Sequence, residues 1–189
     1  LCFSTGFTVN SGVIPALTDR NDYIICDDRD HASIVDGRRL SFSQQLKYKH
    51  NDMADLEKQL QKCNPDSVKL IIVDGVFSME GDLANLPEIV RLKHKYNATI
   101  MVDEAHGLGV FGKQGRGVCD HFGLTHWLLS ADLSLLILLS STGYVTTHVL
   151  IFSVHPTLRL LLHLLSKLST SSKMNRKDLK HCGKLPTMH

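Results

Sequence analysis

Several features are scarce or missing in this chain, and each absence narrows the reading. There is no C-x-x-C pair. The five cysteines (Cys2, Cys26, Cys63, Cys119, Cys182) are scattered over 189 residues, which excludes a disulfide-stapled miniprotein and suits reduced thiols in a cytoplasmic protein. No excess of charge is present. Lys and Arg number 21 against 19 Asp and Glu, a net +2, so no nucleic-acid footprint is expected. No unbroken apolar run reaches the roughly 18–20 residues of a membrane span. Leu133 to Leu139 is too short, and Val145 to Leu165 is interrupted by His148, His155, Pro156, Arg159 and His163. The phosphate-cradling string G-x-x-x-x-G-K-[ST] is also missing.

The scarcity is uneven. Residues 127–189 contain no glutamate, two aspartates, two glycines (Gly143 and Gly183) and 17 leucines. That stretch holds 7 Lys and Arg, a net +5, whereas residues 1–126 hold 14 against 17 acidic residues, a net −3. One folded domain rarely changes composition so sharply. The chain therefore divides into 1–126 and 127–189.

Within the first part, three short apolar runs, Tyr23 to Cys26, Leu70 to Val73 and Thr99 to Val102, are rich in β-branched residues. Each is followed by an aspartate: Asp27, Asp74 and Asp103. Runs without polar alternation suit strands buried on both faces. Between them lie helical patterns: Ala32 to Leu40, Asp52 to Lys62 with Asp52 as cap, and Leu86 to Tyr96 with Pro87 in its first turn. Strands alternating with helices predict an α/β fold with a mostly parallel sheet and helices on both faces.

Ligands of such sheets bind beyond the carboxyl ends of the strands. The loops there carry Asp30-His31-Ala32-Ser33, Val76-Phe77-Ser78-Met79-Glu80-Gly81-Asp82 and Asp103-Glu104-Ala105-His106. Read alone, the last string is the DEAH box of a helicase, but that reading needs the missing phosphate loop upstream. A metal site of Asp103, His106 and His121 has no H-x-x-x-H or H-E-x-x-H to support it, and no metal is expected. His31 taken singly reads as a helix cap. His50, His94 and His121 read as structural or solvated, Lys93-His94-Lys95 as an exposed helix face, and Gly115-Arg116-Gly117 as a tight turn needing permissive φ.

Taken together, the motifs resemble the α-oxoamine synthases, a family of fold-type-I pyridoxal-phosphate enzymes. The resemblance rests on Ile100 to Gly109 with Gly112 and Gly115-Arg116-Gly117. It rests also on Ser4-Thr5-Gly6-Phe7 with Asn10, on Asp30 to Ser33 with Asp36-Gly37, and on Val76 to Asp82. It spans residues 1–126 and implies part of the large domain of such a transferase. It further implies pyridoxal 5'-phosphate as cofactor, an amino acid and an acyl-CoA as substrates, condensation with loss of CO2, and a homodimer. By the same resemblance Asp103 faces the pyridine nitrogen, and His31 stacks on the ring and assists proton transfer. His106 and Ser78 lie near the phenolic oxygen, and Gly6 and Phe7 offer backbone N–H groups to the phosphate. The catalytic pair implied is His31 and His106. Lys49 to Glu57 is most like members that use L-serine and a long-chain acyl-CoA in sphingolipid-type synthesis. Glycine- and alanine-using members share the other motifs.

The family needs a lysine about thirty residues after the DEAH-like string. Here the window Trp127 to Ser141 contains none, and Ser166-Lys167 lies too far along. This implies a non-catalytic chain as an alternative. Out-of-frame translation explains the tail. Shifted by one reading frame, codons available to Leu150–Arg159 can spell YIFSASNTP. Those available to Ser169–Asp178 can spell HIIQNEPER. Both resemble later large-domain sequence of the family, in the right order.

Overall fold

The computed structural model describes residues 5–124 with their side chains and the backbone of 135–138 and 148–152. The lysine-free window Trp127 to Ser141, Ser166-Lys167 and the division at residue 126 lie outside the described residues, apart from the short strand in that window.

The three apolar runs form β1 (Tyr23–Asp27), β3 (Lys69–Asp74) and β6 (Thr99–Asp103). With β2 (Gln44–Tyr48) and two further strands, β7 (Leu135–Leu138) and β8 (His148–Phe152), they make a six-stranded sheet of order β2-β1-β3-β6-β8-β7. The first four strands are mutually parallel, while β8 runs antiparallel to β6 and to β7. The expected sheet is thus mostly parallel, with an antiparallel pair along the β6 edge. A small hairpin of β4 (Val76–Phe77) and β5 (Asp82–Leu83) stands beyond the end of β3.

Side-chain alternation along the strands divides the core. Ile24 and Cys26, Leu70 and Ile72, and Met101 face one way and pack with Val9, Val13 and Ile14 of α1 (Gly6–Ala16) and Ile34 of α2 (Ala32–Leu40). Ile25, Ile71, Val73, Ile100 and Val102 face the other way. They pack with Leu56 and Leu60 of α3 (Met53–Gln61) and with Leu86, Ile89 and Leu92 of α4 (Leu86–Tyr96). Helices on both faces explain why the central strands show no polar positions between their end residues. A fully buried apolar side chain contributes about 1.5–3 kcal/mol, so this sheet is the anchor from which the loops project.

The helix ends follow local chemistry. Asp52 accepts the Asp55 N–H at 2.9 Å and caps α3. Asn97 closes α4 in the left-handed region at φ 50°. Lys93, expected on an exposed face, is instead buried, because it falls on the inward stripe with Leu86, Ile89 and Leu92. Its burial holds the ammonium below its ordinary pKa. A four-residue α5 (Val118–His121) follows the loop after β6. Cys26, Cys63 and Cys119 are free and buried.

Candidate active site

The site begins with three carboxylates at the carboxyl ends of adjacent strands. Asp74 and Asp103 are register partners on β3 and β6, and Asp27 ends β1. All three are buried. Burial holds the Asp103 carboxyl above the usual range. Hydrogen bonds from Asn10 and Ala105 and the nearby His31 and His106 rings offset part of that cost. Asp74 is pushed up to about 7, first by burial and then by the neighbouring Asp103 charge.

A short hydrogen-bond chain joins the central residues. The Asn10 Nδ2 group donates to Asp103 Oδ2 at 2.8 Å and to Ser33 Oγ at 2.9 Å. Ser33 Oγ lies 2.8 Å from His31 Nδ1. With both Asn10 protons directed at oxygens, the Ser33 hydroxyl is free to donate its own proton to His31 Nδ1. The Ser33 N–H also donates to that nitrogen, at 3.2 Å. His31 Nδ1 therefore acts as acceptor, which leaves the ring proton on Nε2. His31 is also the N-cap of α2, so capping and site residue coincide in one side chain.

The backbone of His31 is held as well. Its N–H donates to Asp74 Oδ2 at 2.7 Å, and the Asp74 N–H donates to Asp30 Oδ1 at 3.0 Å. This reciprocal lock ties the loop after β1 to the end of β3. Asp30 is buried, and burial followed by the Asp74 charge raises its pKa well above the carboxylate range.

Close packing of α1 on α2 makes the chain reachable. A Cβ on Gly37 would stand 2.5 Å from the Asn10 carbonyl oxygen. Glycine at this position lets the two helices approach until Asn10 meets Ser33. At the start of α1, Thr5 and Thr8 form a reciprocal capping box. The first turn carries no acidic residue, so the positive end of the helix dipole at Gly6 and Phe7 is not neutralised within that turn.

Glu104, fully buried, accepts the N–H groups of Val118 at 3.0 Å and Cys119 at 3.2 Å. This cinches the loop that carries His106. Gly115 and Gly117 in it have φ of 63° and 92°, as the expected tight turn requires. His106 and Ser78 are both exposed. His106 lies close enough to lower the Asp103 pKa, and Ser78 sits in the β4–β5 hairpin, four residues beyond Asp74. The structure thus links His31 to Asp103 through Ser33 and Asn10 and places His106 within electrostatic reach. Ser78 is brought to the same end of the sheet with no side-chain bond to the others.

The donor set suits pyridoxal phosphate at both of its polar ends. Asp103 is a buried carboxylate held above its ordinary pKa, and a protonated pyridine nitrogen is the kind of partner that would ionise it. The N-terminus of an 11-residue helix offers backbone N–H groups to a phosphate. Asn10 Oδ1 is buried without a partner, so polar capacity remains beside Asp103.

An α/β sheet, parallel over its first four strands and carrying these residues at its carboxyl end, is part of the large domain of a fold-type-I pyridoxal-phosphate transferase. Residues 1–143 match the aminotransferase class I and II family, and the chain belongs to that family. It is 98% identical over 126 residues to serine palmitoyltransferase of Bacteroides thetaiotaomicron, covering 67% of this chain and 32% of that protein. It is 58% identical over 125 residues to serine palmitoyltransferase of Sphingobacterium spiritivorum, covering 66% and 31%. It is 57% identical over 120 residues to 8-amino-7-oxononanoate synthase of Thermosipho melanesiensis, covering 64% and 31%. The chain thus spans about a third of the length of these relatives. Among solved structures it matches serine palmitoyltransferase of S. paucimobilis with PLP and myriocin bound, at TM-score 0.70 and 36% identity, over 85% of this chain and 39% of that one.

Proposed function

We propose that residues 1–126 are the cofactor-gripping part of a pyridoxal-phosphate-dependent acyltransferase. It condenses an amino acid with an acyl-CoA thioester with loss of CO2. The observation that carries this is the buried chain Asp103–Asn10–Ser33–His31 beside a helix N-terminus. When bound, pyridoxal phosphate supplies an electron sink for a carbanion at the amino-acid α-carbon. Asp103 would hold the pyridine end and Gly6 and Phe7 the phosphate end, while His31 would present its Nε2 proton from a ring fixed by Ser33. By the family resemblance His106 and Ser78 would stand near the phenolic oxygen.

L-serine and a long-chain acyl-CoA are the preferred substrates, supported by the names of the 98% and 58% identical relatives. A glycine- or alanine-using reaction is the second reading, favoured by the 57% identical 8-amino-7-oxononanoate synthase. A cytoplasmic homodimer belongs to the same proposal. Among the described residues no helix is long and apolar enough to cross a membrane.

Because Trp127 to Ser141 contains no lysine, this chain by itself grips the cofactor without a covalent anchor and is catalytically silent. Residues 127–189 are out-of-frame translation. The coding DNA around His126 and Trp127 tests that statement. A shifted frame that fails to read on into family-like sequence overturns it. Isothermal titration of the full chain with pyridoxal phosphate tests the grip. Saturable one-to-one binding, weakened in Asp103→Asn, is expected. Absence of saturable binding overturns the reading.

A further inference from the structure

We propose that His50 is a positioning residue. Its ring, protonated at both nitrogens, clasps the end of β1 to the β4–β5 hairpin and so sets where Ser78 stands above the site.

The argument rests on donors and acceptors. His50 Nδ1 lies 2.9 Å from Asp27 Oδ1, and Nε2 lies 3.1 Å from Asp82 Oδ2. A neutral imidazole has one donor only. Asp27 acts as acceptor at both oxygens: Oδ1 takes the Arg29 N–H at 3.0 Å and Oδ2 takes the Asn51 N–H at 2.9 Å. Asp82 Oδ2 accepts from Asn51 Nδ2 at 3.3 Å. An ionised carboxylate is acceptor-only, so a ring nitrogen that faces one donates to it. Both carboxylates are therefore acceptors toward the ring, and both ring nitrogens donate.

The surroundings fit a cation. The Asp27 side chain is fully buried at the end of β1, Asp82 comes from β5, and a carboxylate oxygen of Asp28 lies within 4.8 Å of both Asp27 and His50. Arg29, the nearest cation on that loop, turns instead to Asp28 at 4.0 Å and Glu80 at 3.7 Å. From β4 the Phe77 ring meets His50 edge-on with centroids 4.5 Å apart. Burial works against the charged ring. The hydrogen bonds and charges of Asp27 and Asp82 outweigh it, so the pKa stands above 6.5.

The hairpin needs such a tie. It pairs through two residue pairs only, Val76 with Leu83 and Phe77 with Asp82. Asn51, held at φ 52°, adds Nδ2–H to the Leu83 carbonyl at 2.9 Å and accepts the Asn85 N–H at 3.1 Å. His50 and Asn51 together are the splint between β1 and the segment bearing Ser78. A raised folded pKa means that the clasp is complete below about 6.5 and is lost as pH rises through the folded value. Loss of one ring proton then leaves a lone pair facing a carboxylate. The clasp stands on geometry alone, while its importance for Ser78 rests on the proposed function.

The test uses the full chain, labelled with 15N, over about pH 5 to 9. Long-range proton–nitrogen spectra should show His50 protonated at both nitrogens at about pH 6, with a midpoint above 6.5. The amide signals of Ser78 to Gly81 should shift with the same midpoint. Asp82→Asn, at a half-exposed site, should lower that midpoint and raise the pyridoxal-phosphate dissociation constant roughly threefold. A ring midpoint at or below 6.5, or hairpin amides that ignore the titration, overturns the clasp. An unchanged cofactor affinity in Asp82→Asn overturns the positioning role. If the unmutated chain binds no pyridoxal phosphate, the proposed function fails, and the ring and amide titrations still decide the clasp.

Discussion

Asn10 satisfies two oxygens with one amide group, one on Asp103 and one on Ser33. Asn10→Ala should cost about 1–3 kcal/mol in urea unfolding, because buried acceptors lose their donors. Cofactor affinity should fall together with stability. The aspartate beside it behaves differently. Asp74 has a folded pKa raised to about 7 from 3.8, so it opposes folding once the unfolded chain ionises. Its favourable contribution is complete below about 3.8 and is lost as pH climbs toward 7. Asp74→Asn should therefore stabilise the protein at pH 8 by on the order of 2 kcal/mol, with the gain vanishing near pH 4. Thermal melts at the two pH values check this. At this scale the sequence was legible where chemistry is concentrated: Asp103, His31 and His106 stand out as titratable groups in family-like strings. Ser33 and Asn10 were visible only as motif members, since neither titrates and each acts through a neighbour. His50 read as structural because its two carboxylates are 23 and 32 residues away.

Among the elements, α2 and α4 fall on their expected residues, and β1, β3 and β6 each extend by one residue or two. Their signals are strong because burial on one stripe or on both faces leaves a clean apolar pattern. β2 escaped notice. It is an edge strand whose first two residues are exposed, so Gln44-Gln45-Leu46-Lys47-Tyr48 carries no apolar run. α1 was anticipated only as a helix N-terminus implied by resemblance, although Thr5 before Val9, Val13 and Ile14 is a cap followed by a helical stripe. The two-residue strands of the hairpin are too short for any periodicity. The contact between α1 and α2 is the most sensitive joint of the fold. Gly37→Ala would push a methyl group into the Asn10 carbonyl and should cost about 1–3 kcal/mol by equilibrium unfolding. It should also weaken cofactor binding, because Asn10 and Ser33 would be prised apart. Asp52→Ala at the α3 cap should cost about 1 kcal/mol and leave cofactor affinity unchanged. The contrast separates damage to the site from damage to the scaffold.

At the scale of the molecule, the described residues build two apolar clusters on opposite faces of one sheet, with the polar chain at its carboxyl end. In the proposed reading the chain carries polar groups for the cofactor but no lysine between Trp127 and Ser141 to anchor it. Pyridoxal phosphate should bind reversibly, be removed by dialysis and leave no stoichiometric lysine adduct after borohydride, as peptide mapping would show. A mapped adduct at a single lysine would overturn the statement that the chain is silent. The parallel architecture was legible from alternating strands and helices. The antiparallel β8 on the edge of β6 was not, because nothing in Leu135–Leu138 or His148–Phe152 encodes direction. One further consequence follows from the exchange between Asp30, Asp74 and His31. Beyond the last paired residues of β1 and β3, side-chain carboxylates take over the task that carbonyls perform within the ladder, each holding a backbone N–H of the neighbouring segment. In deuterated water, the His31 amide should then keep its proton about as long as the strand amides beneath it, although it lies in a loop. The slowly exchanging heart of the protein reaches past the sheet and includes the floor of the site.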